Sequence, residues 1–117
     1  MYFYNFKELP QEYVTARYST AFGGLLTGEQ IEVGLLHFNA GEGAVPHAHP
    51  QEQVMYVISG RLNVRFGDEQ AELGPGQAFL APPNVLHQVT AIEATEVLSC
   101  KNVIDGRGHR LANNGGG

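Results

Sequence analysis

The sequence predicts an all-β domain, a sandwich or barrel of short strands, on three observations. Short runs of alternating apolar and polar residues recur along the chain. Its 15 glycines and 6 prolines fall between those runs, where the chain must reverse. Helical apolar spacing is sparse. The 117 residues suit one domain with one core. That domain is expected over 1–112, including an N-terminal arm, with a disordered tail at 113–117 that has nothing to bury.

The elements follow in order. The first twenty residues read as one strand and an irregular arm. In IEVGLLHF, Ile31, Val33 and Leu35 share a face that His37 continues, so a regular strand points His37 inward. AGEGAV reads as a turn leading to Pro46. VMYVISGRLNVRF reads as two strands broken at Ser59-Gly60. In the first, Gln53, Met55 and Val57 face one way, and Glu52, Val54, Tyr56 and Ile58 the other. In the second, Leu62, Val64 and Phe66 alternate with Arg61, Asn63 and Arg65. Gly67-Asp68 turns the chain into a return strand with Ala71 and Leu73. GPG at Gly74 to Gly76 marks another reversal, before the apolar AFLA. Pro82-Pro83-Asn84 forms a rigid loop, Val85, His87 and Val89 share a parity, and VLSCKNV makes a late strand.

Composition narrows the partners. The formal charge is −5, from 12 acidic and 7 basic residues, and no basic stripe exists to hold nucleic acid. The single Cys100 excludes an internal disulfide framework and suits a reducing cytosol. MYFYNFKELP lacks a basic stretch followed by an apolar export segment, and no run approaches membrane-spanning length. The cytoplasm is the expected location, with no membrane partner.

His47 and His49 stand two apart. As isolated features they read equally well as polar residues on one strand face. The case for a metal is that residues two apart on a strand share a face, so both imidazoles reach one ion. His87 adds a third nitrogen beside another short β segment. Three neutral nitrogens and an oxygen suit a single divalent Zn, Fe, Ni, Mn or Co ion, without selecting among them.

Here the chain resembles the cupin superfamily. That family's first motif is a glycine, five residues, H-x-H, three or four residues, Glu, six residues and a glycine. Gly41, His47, His49, Gln53 and Gly60 fall on it with the shorter spacer. The second motif, a glycine, five residues, Pro-x-Gly, two residues, His, three residues and Asn, falls on Gly76, Pro82, Asn84, His87 and Ala91. The resemblance spans Gly41 to Ala91 and implies a cupin-type double-stranded β-helix, a jelly-roll barrel. Asn84 replaces a turn glycine, which asparagine tolerates best among other residues. Ala91 replaces the terminal asparagine.

The third departure concerns the metal. Gln53 occupies the position of the family's usual Glu ligand, and Glu52 lies one residue earlier. Either Gln53 binds through its amide oxygen, or Glu52 swings in, or three histidines and waters suffice. Strand parity and the motif's glycine spacing favour Gln53, and a bulge would reverse the choice. Neutral ligands leave the charge of a divalent ion uncompensated. Such an ion binds less tightly and acts as the stronger Lewis acid toward a bound water, enolate or carboxylate.

The run HAHPQEQVMYVISG and the opening MYFYNFKELP also resemble small cupins that act on unsaturated uronic acids from pectin or alginate breakdown. In those, a three-histidine and glutamine site promotes ring opening to a linear keto acid. The closing CKNVIDGRGHR departs from them. Polyketide cyclases, hydroxynitrile lyases and dioxygenases are similar small cupins.

Beyond the ligands, His37 is the candidate acid-base group, set against the plain reading of a satisfied inward histidine. Met55, Val57 and Phe79 are expected to line the cavity. Lys101 shares parity with Val97 and Ser99. It is read either as a surface lysine or as reaching the cavity mouth to hold a substrate carboxylate. Arg107, His109 and Arg110 form a basic cluster, a tail or a lid borrowed by a partner subunit. The residues as a whole point to a metal-dependent isomerase or lyase acting on a small oxygenated substrate through enolate chemistry. An Fe(II) dioxygenase and a non-catalytic small-molecule-binding cupin are the alternatives, and the family resemblance implies a homodimer.

Overall fold

The computed structural model describes residues 2–110, so the expected tail at 113–117 lies outside the described residues. A 3-10 turn over Phe6–Glu8 precedes ten strands. They are β1 (Glu12–Tyr13), β2 (Phe22–Thr27), β3 (Ile31–Phe38), β4 (Gly43–His47) and β5 (Gln53–Ser59). β6 (Leu62–Phe66), β7 (Glu69–Leu73), β8 (Ala78–Ala81), β9 (His87–Ala91) and β10 (Thr95–Asn102) complete them. One sheet runs β1-β2-β3-β10-β5-β8 and the other β4-β9-β6-β7. These pairings make two facing sheets of double-stranded β-helix type, and they close neither sheet into a barrel.

The core lies between the sheets. Leu36, Phe38, Val57 and Val97 from one meet Leu62, Val64 and Val89 from the other, all at most 4 % exposed. Each such side chain contributes about 1.5–3 kcal/mol relative to leaving it in water. The alternation read in β5 and β6 holds: Gln53, Met55 and Val57 are buried, as are Leu62 and Val64. Gly60, the motif glycine between these strands, has φ 91, and an added Cβ would strike the backbone at Ala94 and Thr95.

Two local expectations are corrected, and one strand was not read from the sequence. AGEGAV does not simply turn; its second half begins β4. The unread strand is Phe22–Thr27, where two glycines dilute the apolar signal. In β3 the faces are exchanged: Glu32, Gly34, Leu36 and Phe38 are buried, while Ile31 and His37 are exposed. Both parities of that strand are apolar, and its pairing with β10 decides between them. Glu32, Gly34 and Leu36 sit opposite Lys101, Ser99 and Val97, all on the inner face. Among the described residues, no helix is long and apolar enough to cross a membrane.

Candidate metal centre

His47 ends β4, His87 begins β9, and the two are directly paired across the strands. His49 lies in the β4–β5 connection, not on a strand face, and its carbonyl accepts the Asn84 N–H at 2.7 Å. Asn84 holds that loop at φ 63, the left-handed conformation expected of a glycine substitute. Gln53 is the first residue of β5 and is 5 % exposed. Glu52 is exposed outside the strand, with its backbone N–H donating to Asn102 Oδ1.

The three histidines offer nitrogens that lie within 4.8 Å of one another. Each ring is fixed by the same device. Nδ1 of His47 donates to the Val45 carbonyl at 2.7 Å, that of His49 to Gln51 at 2.9 Å, and that of His87 to Val85 at 2.8 Å. Nε2 is therefore the lone-pair nitrogen on every ring. Tyr18 stacks on His47, and Phe66 on His87. Burial lowers the pKa of all three; the Nδ1 contacts oppose this, and the Lys101 ammonium adds to it. His49 falls to about 4. Neutral rings with convergent lone pairs are the form that ligates a cation.

Gln53 fits the same reading. Its amide nitrogen donates to Ser99 Oγ at 2.9 Å, leaving Oε1 at 3.2 Å from His49 Nε2. With the His49 proton on Nδ1, two lone pairs face each other with no hydrogen between them. A divalent ion resolves that opposition, and the donor set of three imidazoles and an amide oxygen suits one.

Behind the histidines, Glu32, Lys101 and Gln53 form a cross-strand row on the inner face of β3, β10 and β5. Lys101 is 5 % exposed, and its ammonium makes no hydrogen bond with the described residues. Burial lowers its pKa to about 8, against the attraction of Glu32. With His47, His87, Gln53, Met55 and Phe79 it lines a small interior cavity of about 30 Å³. Val57 does not line it; it lies deeper, opposite Val97.

His37 is corrected. It points to the outer face, where Nε2 meets Asn39 Oδ1 at 3.2 Å, so it does not share the interior with the three histidines. Its neighbours in β3 were the missed signal, because Glu32 faces inward instead. Sequence reading also missed Ser99 and the burial of His109. His109 is no tail residue: it is 3 % exposed and packed against Glu32 and Ser99. Gly108 permits this, since a Cβ there would press into the Glu32 side chain. The parity of Val97, Ser99 and Lys101 marked one inward row, but nothing local tied His109 to it.

A two-sheet β fold with a histidine triad at one end of the interior defines a class of protein. Residues 34–100, more than half of the chain, match the cupin domain model, and the chain belongs to the cupin family. It is 34 % identical over 64 residues to the pectin degradation protein KdgF of Dickeya dadantii, an overlap of 54 % of this chain and 58 % of that one. This chain therefore matches little more than half the length of that relative. The structure of KdgF from Halomonas sp. superposes with a TM-score of 0.64 at 27 % identity, covering 70 % of this chain and 75 % of that one. An RmlC-like cupin from Shewanella frigidimarina reaches a TM-score of 0.78 at 20 % identity over 90 % and 93 % of the two chains, a likeness of fold.

Proposed function

We propose that this cupin is a metal-dependent isomerase or lyase acting on a small oxygenated acid of the unsaturated-uronate class. The observation that carries the reading is one interior cavity shared by His47, His87, Gln53 and Lys101, whose ammonium makes no hydrogen bond with the described residues. His47, His49, Gln53 and His87 would hold one divalent ion. When bound, that ion supplies Lewis acidity toward a substrate oxygen as enolate charge develops.

The chain's own residues do the rest. Lys101 pairs with the substrate carboxylate, since its buried ammonium is attracted by Glu32 but makes no hydrogen bond with the described residues. Met55 and Phe79 exclude water beside it. Because the cavity is small, only the carboxylate end of a sugar acid enters, and the remainder stays at the mouth. The likeness to a protein named for pectin degradation supports the uronate class.

A homodimer belongs to this reading. The outer face of the larger sheet leaves Ile31, Val54, Tyr56, Ile58 and Leu80 between 39 % and 58 % exposed. A second copy covers such a face, and light scattering that gave a monomer mass would remove it. Cytosolic placement rests on the lone Cys100.

The test is turnover of a 4,5-unsaturated galacturonate by protein loaded separately with Mn, Fe, Ni and Zn, in air and without oxygen. Loss of the conjugated double bond under both atmospheres is expected. Turnover confined to iron in air, with oxygen consumed, would point to the dioxygenase instead. Binding without turnover would point to a sensor or carrier.

A further inference from the structure

Gln53 is held by a buried chain of groups that the ligand set does not include. At its far end Glu32 Oε1 accepts the His109 backbone N–H at 2.6 Å and its Nδ1–H at 2.5 Å, and Oε2 accepts the Thr27 hydroxyl at 2.5 Å. His109 Nε2 lies 2.7 Å from Ser99 Oγ, and Gln53 Nε2 donates to that oxygen at 2.9 Å. Glu32, His109, Ser99 and Gln53 are at most 5 % exposed, so water does not substitute for any link.

We propose that Glu32, His109 and Ser99 are positioning residues that lock the Gln53 amide with its oxygen toward the three histidines and load that oxygen with negative charge. The inference deepens the metal-centre reading and rests on it.

The direction of the chain follows from counting hydrogens. An ionised Glu32 only accepts, so Nδ1 of His109 carries a proton; burial lowers the pKa of this ring, which is therefore neutral, and Nε2 keeps a lone pair. Ser99 has one hydrogen, and that lone pair takes it. The serine oxygen is left only to accept, and the amide nitrogen of Gln53 is the donor facing it. A flipped amide would set two oxygens against each other in a dry site, at a cost of the order of 1–3 kcal/mol.

The same polarity runs through every link. Each group donates toward the Glu32 carboxylate and is left more electron-rich by doing so. At the near end this charge gathers on Gln53 Oε1, which faces His49 Nε2. An amide fixed in this way regains part of the charge that a carboxylate ligand would have carried. The carboxylate is present, but relocated to Glu32 on the neighbouring strand and coupled through His109.

Two measurements test this. Metal-free protein is titrated calorimetrically with Zn²⁺ as the parent, Ser99→Ala, Gln53→Ala and the double variant. If Ser99 acts through Gln53, Ser99→Ala weakens affinity by about tenfold or more. The double variant then binds no more weakly than Gln53→Ala alone. Unchanged affinity in Ser99→Ala, or losses that add in full, would overturn the relay.

The second measurement uses the unsubstituted, metal-free protein and needs no variant to fold. Nitrogen-15 shifts of the His109 ring should report a protonated Nδ1 and a bare Nε2. The Gln53 side-chain NH₂ should show a through-bond or proximity correlation to Ser99. An Nε2–H tautomer on His109 would overturn the proposal. Failure of the parent to bind Zn²⁺ would instead strike the metal centre, while the tautomer still decides the relay.

Discussion

Replacing Lys101 with methionine should make the metal-free protein more stable at pH 7, while removing its grip on a carboxylate. The ammonium is 5 % exposed, and burial lowers its pKa from 10.5 to about 8 even with Glu32 attracting it. A shift of that size corresponds to about 3 kcal/mol of penalty for keeping the charge inside. Methionine retains the apolar stem and fills the same space, so a gain of about 1–3 kcal/mol is expected. The sign depends on pH. Below pH 8 lysine is charged in both states and the penalty is fully present. Between about 8 and 10.5 the folded state has lost the proton and the unfolded state has not. The parent therefore recovers over that interval, and the two proteins converge. Urea denaturation of both at pH 7 and pH 10, with chelator present, reads the difference. A variant equal to or weaker than the parent at pH 7 would refute the reasoning, as would a gap that does not narrow with pH. In turnover assays the same substitution should raise KM for an acid substrate at least tenfold.

Three further outcomes follow from the same geometry. The Glu32 carboxyl is subject to burial, which raises its pKa, but hydrogen bonds from His109 and Thr27 outweigh this and hold it at about 2 against an ordinary 4.5. Its contribution of about 3 kcal/mol is complete above pH 4.5 and fades as pH falls toward 2; Glu32→Gln should lack that acid-range dependence in thermal melts. His37→Ala should leave kcat/KM within twofold of the parent, because the ring faces out of the larger sheet; a loss beyond tenfold would return His37 to the active centre. His87→Ala removes a ring that is 3 % exposed and packed by Phe66 and Phe79. It should lower Zn²⁺ affinity at least a hundredfold, read by competition with a chromophoric chelator.

Much of the fold was legible, because alternation and turn residues are local signals. β5 and β6 show it: Met55, Val57, Leu62 and Val64 face inward as their parity requires. Two-fold periodicity failed in β3, where Ile31, Val33 and Leu35 compete with Leu36 and Phe38. An outer face that is itself partly apolar removes the contrast on which the reading depends, and His37 was misplaced as a result. The histidine motifs gave the triad positions, but their geometry has a different origin from the one expected. His47 and His49 do not share a regular strand face; a loop pinned by Asn84 and the Gln51 carbonyl turns His49 in. The Glu32–His109–Ser99 chain was beyond sequence reading for a further reason. Its members are 77 and 10 residues apart, and only strand pairing and the return of the last described residues bring them together.

The most direct measurement is the stoichiometry of divalent-ion binding to metal-free protein, by calorimetry and by elemental analysis after dialysis, in the parent and in His49→Ala. The arrangement of His47, His49, Gln53 and His87 predicts one saturable site per chain, lost when His49 is removed. No saturable binding of Mn, Fe, Co, Ni or Zn to the parent, or a site that survives in His49→Ala unchanged, would contradict it.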